Sequence, residues 1–169
     1  MRVGLEYGDG KLWIELPDDR TTVINPIYDS AIADPIAAIQ KAIKEPIASR
    51  PLREIVQRGQ SVAISVCDVT RPQLRKEAVG AIISELEGIT TPEDVLIMIA
   101  TGTHRSNTPE ELEQMLGHEI VNTYRVVNHV ASDPSTLVDL GVLGDGVPVS
   151  LNKEWIAADI RITTGVVEP

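Results

Sequence analysis

The stretch Ile97-Met-Ile-Ala-Thr-Gly-Thr-His-Arg105 constrains the fold more than any other part of the chain. An apolar run from Val95 to Ala100 is driven straight into a polar turn that contains a glycine and ends on a histidine and an arginine. Helix signals follow at once, with Thr108 as N-cap, Pro109 at the first helical position and Glu111 closing a capping box. The pattern is strand, short loop, helix, with His104 and Arg105 held in the loop. A second unit of the same kind runs from Val62 to Pro72 and carries Asp68 and Arg71. In an open α/β sheet, ligands bind at the loops leaving the carboxyl ends of the strands. Two polar strand-end loops in one short chain therefore point to a site.

The rest of the chain supports the same class. Residues 2–7 and 11–16 alternate apolar and polar around Gly8-Asp9-Gly10, the pattern of a β-hairpin. A short extended piece is expected at residues 23–25. Asp34 caps a helix with Pro35 at its first position, and Ile36, Ile39 and Ile43 share one face. Pro46 ends it, and residues 51–57 form a second helical stretch stopped by Gly59. Residues 61–67 make a buried strand with Val62, Ile64 and Val66 on one face and Ser61, Ala63, Ser65 and Cys67 on a small-residue face. Residues 73–87 then form an amphipathic helix. Its expected core face is Leu74, Ala78, Ala81, Ile82 and Leu86, with Arg75, Lys76, Glu77 and Glu85 outside.

Beyond the opening stretch, residues 109–116 are a helix stopped at Gly117, and residues 123–127 a strand ending in Asn128-His129. Residues 137–143 and 147–151 are extended around Gly144-Asp-Gly146, Asn152 caps a brief helix through Ala157, and residues 159–167 are a last buried strand. The β-α-β-α alternation from residue 60 onward predicts an α/β fold: a mainly parallel, Rossmann-like sheet with helices on both faces, preceded by the N-terminal hairpin. Residues 1–169 read as one domain. Stopping just after a strand, at Glu168-Pro169, they read as a fragment of a longer protein.

Composition narrows the function. A net charge of −10, with no Lys/Arg cluster to offset it, argues against nucleic acid as a partner. It also draws attention to Arg71 and Arg105, since a cation in an acidic protein suits a small carboxylate or phosphate. No apolar run approaches the ~20 residues needed to span a bilayer, so no membrane is expected. A single cysteine excludes an internal disulfide and fits a reducing cytoplasm.

Five positions or stretches could carry chemistry. His104 lies among Thr101, Gly102, Thr103 and Arg105, where an imidazole can exchange a proton near neutral pH or simply cap the helix that follows. Asp68-Val-Thr-Arg-Pro72 offers an anion site, with Asp68 orienting Arg71 beside a helix N-terminus. The same residues also suit an N-cap, from Thr70 or Asp68, with a surface ion pair. His129 is a third polar strand-end position, read more readily as structural. His118 reads as solvated and Cys67 as a core residue. The three histidines are far apart in sequence, and no His-x-x-x-His or Cys-x-x-Cys spacing suggests a metal site.

Taken together, Ser65-Val-Cys-Asp-Val-Thr-Arg-Pro72, Ile99-Ala-Thr-Gly-Thr-His-Arg105, Asn128-His129 and Ile162-Thr-Thr-Gly-Val-Val-Glu-Pro169 resemble the N-terminal domain of the lactate racemase family, nickel-dependent 2-hydroxyacid racemases. The resemblance covers residues 10–169. It departs at Val130, where the family usually has aspartate, a change consistent with a different substrate. The resemblance implies a parent enzyme, an isomerase, that uses a nickel-pincer nucleotide. This nicotinate-derived cofactor is tethered to a lysine; it takes a hydride from the 2-hydroxyacid and returns it to either face, while paired histidines move the hydroxyl proton. It places His104 as one of that catalytic pair and Arg71 on the substrate carboxylate. Asp68, with Thr70, falls near the cofactor. The second histidine, the tethering lysine and the nickel ligand would fall after Pro169, in a C-terminal domain, so the chain alone is expected to bind no cofactor and racemise nothing. The alternative reading is a non-catalytic domain of the same fold that binds a small carboxylate or phosphate.

Overall fold

The computed structural model describes residues 1–25, 27 and 30–167, and Glu168 and Pro169 of the last motif lie outside them. The chain divides into two compact units, Met1–Ile32 and Ala33–Pro169. In the first, β1 (Arg2–Tyr7) and β2 (Gly10–Glu15) pair antiparallel from Arg2↔Glu15 to Tyr7↔Gly10. Gly8 takes φ 57° at the turn, where a side chain would be strained. The guanidinium of Arg2 lies over the Trp13 ring, 4.8 Å from its centroid. Residues 23–25 carry no strand.

The second unit begins with α1 (Pro35–Lys44), where the Asp34 carboxylate accepts the Ala37 N–H at 3.0 Å. Helix α2 (Leu52–Ile55) is a single turn. Then β3 (Val62–Cys67), α3 (Arg75–Leu86), β4 (Val95–Ala100), α4 (Pro109–Leu116), α5 (His118–Thr123) and β5 (Arg125–Asn128) follow in order. A hairpin of β6 (Leu137–Leu143) and β7 (Val147–Asn152) precedes α6 (Lys153–Ala157) and β8 (Ile160–Thr163). Strands β5, β4, β3 and β8 form one parallel sheet in that order, with Val62↔Val95 and Val62↔Ile160 in register. The chain thus steps from β3 to β4 to β5, then crosses to the other side of β3. That reversal falls at β3, and in such sheets the crevice outside the carboxyl ends of the strands around the reversal is where ligands bind.

The core sits on the helix-covered face of this sheet. Val62, Ile64 and Val66 of β3 and Val95, Ile97 and Ile99 of β4 meet Val79, Ile82 and Leu86 of α3 and Met115 and Leu116 of α4. The opposite face carries the small residues expected of β3, and there Ser65, Met98 and Ala100 border a cleft of about 270 Å³ with Trp155 of α6. No helix among the described residues is long and apolar enough to cross a membrane.

Four local expectations change. The buried face of α3 begins at Arg75 and runs through Val79, Ile82 and Leu86, whereas Leu74 precedes the helix and is half exposed. Arg75 goes inside because its donors find main-chain acceptors there. Ile36 of α1 is 51% exposed, while Ile39 and Ile43 are half-buried. Gly117, at φ 87°, both stops α4 and starts the unexpected α5, so β5 begins only at Arg125. Finally, β8 is a four-residue edge strand. Its alternate side chains point to opposite faces, Ile160 and Ile162 toward the core and Arg161 and Thr163 to the exposed side.

Removing a fully buried β4 side chain should therefore cost far more than trimming the α1 surface. Ile97→Ala is expected to lower stability by about 2–5 kcal/mol, and Ile36→Ala by about 0.5 kcal/mol or less. Urea unfolding of the two variants checks the contrast.

Candidate functional site

Three of the sequence-singled residues meet at the crevice. Asp68 follows β3 directly and is 4% exposed. Its Oδ1 accepts the Thr70 hydroxyl at 2.6 Å and the Thr70 N–H at 3.3 Å. Its Oδ2 lies 2.7 Å from His104 Nδ1. Burial alone would raise the Asp68 carboxyl, but the Thr70 hydroxyl and the His104 ring outweigh it and hold the group below its ordinary range. Asp68 is therefore an ionised acceptor, and Nδ1 is the ring nitrogen that donates to it. Among the described residues Nε2 has no hydrogen-bond partner, and the side chain is 54% exposed.

The backbone delivers His104 to this point by a tight turn. Gly102 takes φ 59°, and the His104 N–H returns to the Thr101 carbonyl at 3.0 Å. Thr101 is buried and donates its hydroxyl to the His129 carbonyl, while the His129 N–H donates to the Ile99 carbonyl at 3.0 Å. The loops after β4 and β5 are thus tied together. The His129 ring borders the 270 Å³ cleft, its Nδ1 3.4 Å from Nδ2 of buried Asn152.

Arg71 occupies the same loop as Asp68 and is exposed at the crevice, with its N–H on the Asp68 carbonyl at 3.3 Å. Arg105 does not join it. Its two terminal nitrogens reach Glu111 Oε2 at 2.8 Å and Oε1 at 2.7 Å, a bidentate pair. Glu111 Oε2 also accepts the Thr108 N–H at 2.9 Å and the Asn107 amide at 3.3 Å. Arg105, Thr108 and Asn107 together push the Glu111 carboxyl down to about 2. The expectation of Arg105 as an anion ligand is corrected by this pairing: the guanidinium is committed to the cap of α4. His118, expected to be solvated, is exposed but pairs with Glu113.

Two contributors escaped the sequence reading. Arg75 donates to the Cys67 carbonyl at 2.8 Å and to those of Asp68, Arg71 and Gln73. Gln73 accepts the Cys67 N–H at 2.9 Å and donates to Thr164 Oγ1 at 2.7 Å, and Thr164 bonds onward to the Ser65 carbonyl. The available signal was the spacing of Arg75, Val79, Ile82 and Leu86, which puts position 75 at the head of the buried stripe.

A parallel four-stranded sheet with helices packed on it, carrying a carboxylate–imidazole pair at its strand ends, makes this an α/β domain. More narrowly, the model of the lactate racemase N-terminal domain matches residues 7–169, and the chain belongs to that family. It is 30% identical to the lactate racemase of Lactiplantibacillus plantarum over 92% of its length and 25% identical to that of Thermoanaerobacterium thermosaccharolyticum over 99%. It spans 40% of the length of each of these curated relatives. The structure of the lactate racemase apoprotein from Thermoanaerobacterium thermosaccharolyticum aligns with 96% of this chain, and 38% of that one, at a TM-score of 0.75 and 25% identity. A Thermotoga maritima protein shares the fold over 80% of this chain and 34% of that one, at a TM-score of 0.63 and 19% identity.

The Glu111 knot has a pH signature. A depressed folded-state carboxyl contributes stability that is complete above its ordinary value near 4.5 and is lost as pH falls toward about 2. The stability gap between the parent chain and Glu111→Gln should therefore be widest above pH ~5 and close as pH falls toward ~2. Urea titrations at a series of pH values read the gap directly; one that stays constant would mean the pair contributes nothing.

Proposed function

We propose that this chain is the N-terminal catalytic part of a lactate or related 2-hydroxyacid racemase. The observation that carries the reading is the 2.7 Å contact between buried Asp68 and His104 Nδ1, on an imidazole side chain that is 54% exposed. In this reading Nε2 accepts the substrate hydroxyl proton and later returns it. Arg71, at the same edge, holds the substrate carboxylate. Membership in the family and the names of the two relatives support the assignment.

Asp68 and Thr70, which the sequence reading gave to the cofactor, are also linked to the imidazole. Thr70 fixes one carboxylate oxygen so that the other meets Nδ1. An ionised partner at Nδ1 stabilises the imidazolium that forms when Nε2 takes a proton, as in other carboxylate–histidine pairs.

The family reading gives the parent a nickel-pincer nucleotide as its hydride acceptor. Among the described residues no group of three or more His, Cys, Asp or Glu is placed to hold a metal ion. Both Asp68 oxygens are engaged within the protein, and His104 offers a single nitrogen. These residues do not fit a nickel ligand set, so no step is routed through the metal. The contribution we assign to this chain is proton handling and carboxylate binding. The 169-residue chain by itself should interconvert neither enantiomer of lactate, in keeping with one imidazole at the crevice and no metal donor set among the described residues.

The test uses a longer protein carrying this domain, assayed with D- and L-lactate by chiral chromatography. His104→Ala should lose about 10²–10⁴-fold in rate while unfolding at the same urea concentration as the parent. Retained activity with a stability loss as large as a core deletion would make His104 structural. A parent that racemises no hydroxyacid but binds carboxylates through Arg71 would favour the anion-binding module.

A further inference from the structure

We propose that Arg75 is a positioning residue for the Asp68–His104 pair, holding the loop after β3 in the one conformation that aims Asp68 at the imidazole. The inference rests on the reading of that pair as the working acid/base unit, and it assigns a role to a side chain that touches neither substrate nor imidazole.

Arg75 is 7% exposed, at the first position of α3. Burying a guanidinium is costly unless its donors are used. Here the hydrogen bonds of the head group go to main-chain carbonyl oxygens: Nε to Cys67 at 2.8 Å, Nη1 to Gln73 at 3.3 Å, and Nη2 to both Asp68 and Arg71. Three of these carbonyls already close turns. The Asp68 oxygen accepts the Arg71 N–H at 3.3 Å, the Arg71 oxygen the Gln73 N–H at 2.9 Å, and the Gln73 oxygen the Arg75 N–H at 2.9 Å. The loop is therefore a short spiral whose carbonyls converge inward, and the planar fork of Arg75 fills its centre. A lysine brings one nitrogen on a flexible stem and cannot bond four divergent acceptors at once.

The imidazole has little else to hold it. His104 is 54% exposed in its side chain, and Asp68 is its one hydrogen-bond partner among the described residues. Packing does not fix a ring so open to water, so its orientation follows the Asp68 carboxylate. That carboxylate is placed from outside by Thr70 and from beneath, through its own carbonyl, by Arg75. Gln73 restrains a different side of the loop, linking Cys67 to Thr164 after β8. It gives a comparison that loosens the loop without touching the Asp68 carbonyl.

The experiment reads the ring itself. The 169-residue chain is labelled with ¹⁵N in its histidines, and the tautomer of His104 is measured by long-range ¹H–¹⁵N correlation at a pH where the ring is neutral. In the parent chain the Nδ1–H form should dominate. Asp68→Asn should abolish that preference; if it does not, the pair itself is misread and the inference has no basis. With that control in place, Arg75→Lys and Arg75→Met should each reduce the Nδ1–H form to less than half. Gln73→Ala and the core variant Val79→Ala should leave it dominant at comparable loss of stability. A dominant Nδ1–H form in either folded Arg75 variant overturns the inference while leaving the Asp68–His104 pair intact. Loss of the preference in Val79→Ala as well would mean that general loosening is responsible, which also overturns it. If neither Arg75 variant folds, Arg75 belongs to the fold and not to the site, and the inference fails on that ground.

Discussion

The ionised carboxylate of Asp68, buried at the end of β3, is the interaction on which the rest of the crevice depends. A charge taken out of water must be met by donors, and here those donors are Thr70 and the ring of His104. Satisfying Asp68 therefore organises two loops at once. The loop after β3 curls until Thr70 faces back, and the loop after β4 turns at Gly102 until the imidazole arrives. Strand pairing between β3 and β4 brings the two loops side by side.

The two exposed-loop arginines show how the same residue type acquires different work. Arg105 is drawn into a bidentate pair by a helix-capping glutamate six residues on, and the result is a rigid start to α4. Arg71 stays at the crevice edge, its backbone part of the spiral around Arg75. One guanidinium thus braces the start of α4, while the main chain of the other helps build the turn that surrounds Arg75.

Much of this was legible from the residues. The apolar runs of β3 and β4, the Thr108–Glu111 capping box and the Asn152 cap all rest on short-range rules, and each element formed where those rules put it. The meeting of Asp68 with His104 was legible one level higher, from two strand-end loops in one parallel sheet. Arg75 was not, because a charged residue in a helix reads as solvent-facing unless its spacing from Val79, Ile82 and Leu86 is weighed above its charge. The end of β8 was hidden for another reason. Apolar residues continue to Val167, but a strand lasts only as long as a neighbour pairs with it, and the β3 register runs out at Ser65↔Thr163. The approach of Asn152 to His129 depends on residues 23 apart in the chain, beyond any local pattern.

The strand order carries a consequence for how the molecule comes into being. Strand β4 meets β3 after one helical crossover, but β8 reaches β3 only after the chain has closed a loop spanning 98 residues from Ser61 to Asp159. That loop is roughly three times the β3–β4 excursion, which adds about 1 kcal/mol of closure entropy. During synthesis from the N-terminus, β3, β4 and β5 can emerge and pair while β8 is still unmade. The Asp68–His104 contact belongs to that early body. The Gln73–Thr164 and Thr164–Ser65 bonds, which shut the other side of the crevice, belong to the last step. In a nascent chain the loops that carry Asp68 and His104 are therefore made well before Thr164, which ties the loop after β8 to Gln73 and Ser65.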